Sequence, residues 1–372
     1  MTERISGIFF SSDFLEANYG DQDCFKIRSE EAVRAGLDLI RSKDPTTGFY
    51  SLYTMLADRR RAIAMEQDSK DKEDFGRIRS REEDERCSFA YTELTGVYQE
   101  VGNTALKRLT SLMTKMMEKG KDLFSQEIWG RKWTLRVDIL GPNPQGHFSQ
   151  IAIHPASFPP YMRPCFLENG NFRLDNVEAF SRLHREDSEI FGRLDVSDFI
   201  RQAELSYPSE RRGAQNRKSE YVWTTLSMDI DGVDIPLVTY ATWMDRKSGE
   251  PFIERMKKYS VIFVRHQVRF NHKITIVALS RLWGRIVTWK ERGEPIDRLQ
   301  NDVAHFRFIF ALAMLSYRGD GAIGDWLEEI AYKINGLVFT PAEKTLLPFE
   351  PFAAVIPSFY EKDYFKTRSW NP

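Results

Sequence analysis

Two sets of side chains in this sequence have the chemistry to act on a ligand: a pair of histidines and several arginines set beside glycine-rich backbone. His266 and His272 close either end of His-Gln-Val-Arg-Phe-Asn-His. Imidazole exchanges protons near neutral pH, so either could serve as acid or base. Six positions apart, they share a face only if the segment is a strand; on a helix they diverge by about 120°. No Asp, Glu or Cys stands at ligand spacing beside them, so no metal site is expected.

The sharpest local signal is Ser316-Tyr-Arg-Gly-Asp-Gly-Ala-Ile-Gly-Asp-Trp326, a glycine-rich turn between two apolar periodic segments. Gly319 and Gly321 tolerate positive φ and so permit a sharp bend. Unpaired N–H groups at the start of the following helix, with Arg318 beside them, make a place where a phosphate or carboxylate could sit. The spacing Gly319-x-Gly321-x-x-Gly324 matches the letters of a dinucleotide fingerprint, but a helical pattern and not a strand precedes it. The plain alternative is a capped turn between two core helices, with Asp320 or Asp325 complementing the helix start.

A second basic stretch, residues 209–219, carries Arg211, Arg212, Arg217 and Lys218, and suits either phosphate contact or a solvated loop. The run Arg59-Arg60-Arg61 reads as an exposed helix face. Asp229, Asp231, Asp234 and Asp245 cluster around a hairpin, where they suit a divalent cation or, since turns are rich in Asp, conformation alone. His147 and His154 flank another short apolar segment without a nucleophile to serve. A Gly-x-Ser-x-Gly elbow, a phosphate loop, Cys-x-x-Cys and His-Glu-x-x-His are all missing from the sequence, and no cofactor is indicated.

Residues 305–334, an apolar helical pattern followed by Tyr317-Arg-Gly-Asp-Gly-Ala-Ile-Gly-Asp-Trp326, resemble a helical element of secreted bacterial effector and toxin proteins. The resemblance is local and carries over no catalytic residue.

The surrounding elements point to an α+β fold, mainly helical, with a central antiparallel β section of at least two hairpins. Residues 1–128 are expected as an N-terminal helical part, 129–249 as a central α+β part, and 250–372 as a C-terminal helical part with an extended tail. Helices are expected from Glu30 to Lys43 with Ser29 as cap, through Tyr53 to Met65, and within Phe89 to Phe124. The tract from Glu66 to Arg86 is nearly all charged and promises little core. Trp133, Leu135, Val137 and Ile139 alternate with polar residues, a half-buried strand expected to pair with 148–153. Asp231-Gly232 joins the clearest hairpin, whose return strand holds Pro236 and must be bulged or at an edge there. Residues 260–264 fit strand or helix.

With 53 basic and 54 acidic side chains in 372 residues, the net charge of −1 does not favour nucleic acid as partner. No apolar run is long enough to insert in a membrane. Cys24, Cys87 and Cys165 are odd in number and scattered, which suits reduced thiols, and the amino terminus lacks a cleavable-signal pattern. The expected compartment is therefore the cytoplasm, or a host cell into which the chain is translocated. The expected function is protein interaction of the effector type, with a protein partner. The alternative is an enzyme acting on a phosphate-bearing or other anionic substrate at Arg318 and the Gly-rich helix start, with His266 or His272 as acid or base.

Overall fold

A computed structural model describes residues 22–42, 48–69, 72–78, 88–90, 97–121, 123–140, 219–245, 261–267, 269–341 and 349–371. Its fold is α+β and mainly helical, and the strands are antiparallel. The chain divides into two compact units, Met1–Arg79 with Ile276–Pro372, and Ser80–Thr275. The helical beginning and end of the chain therefore fold into one body instead of the separate parts expected from the order of the sequence. The reason is that their apolar stripes cover one another.

In the first unit, α1 (Gln22–Ser42) and α2 (Phe49–Glu66) pack with the later helices α6 (Ile296–Ala313) and α7 (Asp320–Ile334). Phe49 meets Phe306 edge-on at 5.4 Å between ring centres, and Tyr53 meets Phe310 at 5.9 Å. α6 is buried around nearly its whole circumference, including His305 and Arg307. α1 begins eight residues before Glu30, and Ser29 lies inside it instead of capping it. The chain end is no extended strap: Glu350–Ala354 and Pro357–Lys366 form α8 and α9. Arg368–Asn371 (β8) then pairs antiparallel with Val338–Pro341 (β7). Pro351 and Pro357, which suggested irregular chain, stand in first helical turns, where the missing N–H costs nothing.

The second unit holds α3 (Val97–Glu118) and a six-stranded antiparallel sheet in the order β1-β6-β5-β4-β3-β2 among the described residues. The strands are β1 Ser88–Ala90, β2 Leu123–Ile128, β3 Arg131–Leu140, β4 Ser219–Ile230, β5 Val233–Asp245 and β6 Val261–His266. Two hairpins turn on dipeptides with positive φ, Trp129-Gly130 and Asp231-Gly232, the geometry that matches strand twist. β3 thus pairs with β2 and β4; residues 148–153, its expected partner, lie outside the described residues. α3 is shorter than the expected helix because Ser88–Ala90 and Leu123–Ile128 are strands.

Residues 261–266 resolve as strand, favoured by their β-branched side chains. Pro236 sits opposite Ser227 where the ladder shifts register, so the expected bulge is present. β5 is nevertheless an interior strand, between β4 and β6. The Pro236 carbonyl is taken by Gln267 Nε2 at 2.8 Å. One sheet face carries Trp133, Leu135, Leu226, Met228, Tyr240 and Val264, all buried. The other carries polar pairs such as Thr225 with Thr239 at 3.0 Å.

α4 (Arg269–Val287) passes from the second unit into the first, where the short α5 (Trp289–Arg292) follows it. Among the described residues no helix is long and apolar enough to cross a membrane.

The charged tract also holds a surprise. Phe75 is 1% exposed, so this tract does feed the core. Gly76 adopts φ +65°, and a Cβ there would lie 2.0 Å from the Ala57 carbonyl oxygen. Gly76→Ala should therefore lower stability by more than about 2 kcal/mol in urea unfolding. A loss below about 0.5 kcal/mol would mean that this close approach does not exist.

Candidate functional site

The expected anion site is the turn between α6 and α7. α6 stops at Ala313, and Met314 takes the left-handed conformation, φ 47°. The bend thus begins before the glycines, which do not end α6. The short stretch Leu315 to Gly319 is tied to residues 72–78. Gly76 N–H donates to the Arg318 carbonyl at 2.9 Å and Tyr317 N–H to the Arg77 carbonyl at 2.8 Å. Gly319, φ 96°, then precedes α7 as its N-cap. A Cβ there would come 2.9 Å from Arg60 Cγ, so backbone conformation and crowding both call for glycine. Gly321, expected at the bend, lies in the first turn of α7.

The helix start is complemented from within the protein. Asp320, 6% exposed, accepts hydrogen bonds from Ser316 N–H at 2.8 Å and Ser316 Oγ at 2.5 Å. Its carboxylate stands where the positive end of the helix dipole would draw a ligand anion. Arg318 is half-buried with its guanidinium 4.8 Å above the Phe75 ring centre. Arg60, in the run expected to face solvent, is 2% exposed and lies 4.1 Å from Phe75 and 5.3 Å from Phe25. Arg61 donates to the Phe75 and Gly76 carbonyls, each at 3.2 Å. The flat, weakly hydrated guanidinium tolerates such stacking where an ammonium would not.

One turn further along α7 begins a buried ion network for which the sequence shows no local motif. Glu328, with no exposure, meets Arg307 Nε at 3.0 Å and Arg368 Nε at 2.6 Å. Arg307 also bonds Asp325 at 2.6 Å, and Arg368 reaches Glu350 at 2.9 Å. The Arg368 guanidinium lies 3.9 Å above the Tyr364 ring, and the Tyr364 hydroxyl donates to Glu328 at 2.7 Å. Gly324 leaves the room that Arg307 occupies, since a Cβ there would fall 1.7 Å from Nη1.

The titration of these groups follows from their surroundings. Burial alone would raise the Glu328 carboxyl, but Arg368 and Arg307 hold it below the usual range. Burial raises Glu350, with Arg368 opposing. Burial pushes Asp325 up to about 6; Arg307 opposes the rise and Glu328 adds to it. Water reaching the 38% of the Asp325 side chain that stays exposed works against that rise. In the second unit, burial likewise pushes Asp234 up to about 6, despite hydroxyl donation from Thr134 at 3.0 and 3.1 Å.

His266 and His272 belong to the second unit. His266 ends β6 and His272 lies in the first turns of α4, each about 95% buried. They sit on different elements, so the single strand that would have aligned them is not formed. Arg211, Arg212, Arg217, Lys218, His147, His154, Cys87 and Cys165 lie outside the described residues. Asp229 accepts from Gly232 N–H at 3.1 Å, a turn-forming role. Among the described residues no group of three or more His, Cys, Asp or Glu could hold a metal ion.

Sequence signals for the missed residues were present but thin. Arg307 interrupts the apolar run Phe306 to Phe310, and Phe75-Gly76 interrupts a charged tract. Compared with known proteins, the chain matches no family model, no curated protein and no solved structure.

The Asp325 carboxyl sits near 6 in the folded chain against an ordinary 3.8. A raised carboxyl pKa means that the folded form holds the proton more tightly. Its stabilising effect is complete below about pH 4 and is lost as pH rises through about 6. Urea unfolding of Asp325→Asn across this range should show a smaller fall in stability with rising pH than the wild-type chain. An identical slope in both would mean that burial does not raise the Asp325 carboxyl.

Proposed function

We propose that this chain acts by binding another protein, as an interaction protein of the effector type. One observation carries the reading. Arg28 on α1 bridges Glu66 on α2 at 2.6 Å, and the residues before them along each helix, Ile27 and Met65, are 59% and 49% exposed. Exposed large apolar side chains on two helices joined by an ion pair are the residue types of an interface, where apolar contacts are rimmed by charge and Met and Arg are favoured. The turn at Arg318 lends less support to an anionic substrate, because Asp320 already complements the helix start and Asp325 adds a second carboxylate one turn on.

The compartment that goes with this reading is the cytoplasm, of the source cell or of a host cell into which the chain is translocated. Three scattered cysteines, Cys24, Cys87 and Cys165, fit a reducing environment.

The test has two arms on the full-length chain. A photo-crosslinker beside position 27 should capture a protein whose purified form binds the wild-type chain. That binding should weaken by at least about tenfold in Ile27→Asp/Met65→Asp. In a thermal-shift panel of nucleotides, phosphate esters and divalent metals, no compound should raise Tm. A phosphate ester that raises Tm in the wild type but not in Arg318→Ala would replace this reading with the substrate-binding one.

A further inference from the structure

One face of α1 is committed to the first unit. Phe25 stacks on Trp326 of α7 with ring centres 6.3 Å apart, Ala32 and Val33 are buried, and a Cβ at Gly36 would fall 2.4 Å from Ile330 Cδ1. The opposite face carries Asp23, Ile27, Glu30, Arg34, Leu37 and Arg41, spaced alternately by four and three positions. That spacing is the seam of a coiled coil, the pattern with which one helix keeps meeting another along its length. Ile27 is 59% exposed, Leu37 is half-buried, and the charged members of the seam are all exposed. Among the described residues neither Glu30 nor Arg34 makes an ion pair.

We propose that this outer face of α1 binds the same face of α1 in a second copy of the chain, antiparallel about a two-fold axis level with Ala32. The inference rests on the interaction reading above and names the partner that covers Ile27. Turned end for end, the seam is its own complement. Ile27 then meets Leu37 of the second copy, Glu30 meets its Arg34 and Asp23 meets its Arg41, and the symmetry repeats each contact. A parallel pair would set Glu30 on Glu30 and Arg34 on Arg34, so charge selects the antiparallel arrangement. An unrelated helix would have to match this order of charges independently, whereas a second copy carries it by symmetry. Exposed ion pairs each contribute little and the apolar contacts are few, so the association is weak and sensitive to salt.

Sedimentation equilibrium on the full-length chain at low salt decides this. The wild type should pass from monomer to dimer as its concentration rises to about 100 μM. Glu30→Arg and Arg34→Glu, each alone, should self-associate at least about tenfold more weakly, because each change sets like charges against one another twice. Both positions are exposed, so both variants keep the fold. Mixed in equal amounts, the two variants should pair with each other to within about threefold of the wild-type affinity, since every glutamate then faces an arginine. A wild type that stays monomeric, single variants that associate as tightly as the wild type, or a mixture that stays monomeric would each overturn the proposal. In that event, capture of a different protein by the crosslinker beside position 27 leaves the interaction reading standing, and capture of nothing there removes both.

Discussion

Glu328 is the group on which the first unit turns. It carries a full charge with no exposure, and two guanidiniums from distant parts of the chain close on it. Removing such a charge from water costs several kcal/mol, which only close, well-directed partners repay. Those partners bring with them the segments that bear them. Arg307 commits α6 to α7, and Arg368 commits the last residues of the chain to both. The hydroxyl relay from Tyr332 to Tyr364, 2.9 Å, and on to Glu328 fixes α9 in the same arrangement. Burial raises the Tyr332 and Tyr364 hydroxyls, so these stay neutral donors across the physiological range.

The same economy of charge shapes the α6–α7 turn. A glycine cap, a half-buried arginine and a helix start are the parts of an anion site. Here Asp320 supplies the anion, Phe75 supplies a surface for the guanidinium, and residues 72–78 supply main-chain partners.

How much of this could be read from sequence depended on whether a feature was local. The Asp231-Gly232 hairpin, the bulge at Pro236 and the existence of α2, α6 and α7 follow from periodicity and turn chemistry, and they are present. Trp129-Gly130 carries no such turn signal, because an aromatic residue at positive φ is uncommon. Arg60 is buried although a run of three arginines carries no mark of which one faces inward; only the distant Phe25 and Phe75 decide that. Glu328 and Arg368 are forty positions apart, and no pattern within a helix or strand announces a pair at that distance. The union of the chain's two ends in one unit is non-local for the same reason.

Glu328→Gln is the most direct probe of the network. The variant keeps the side-chain shape and removes the charge, leaving Arg307 and Arg368 with a shared neutral neighbour. Urea unfolding at neutral pH should show a loss of about 3–5 kcal/mol, accompanied by faster amide exchange through α9 and β8. A loss below about 1 kcal/mol, with α9 and β8 protected as before, would show that apolar packing alone holds this unit together.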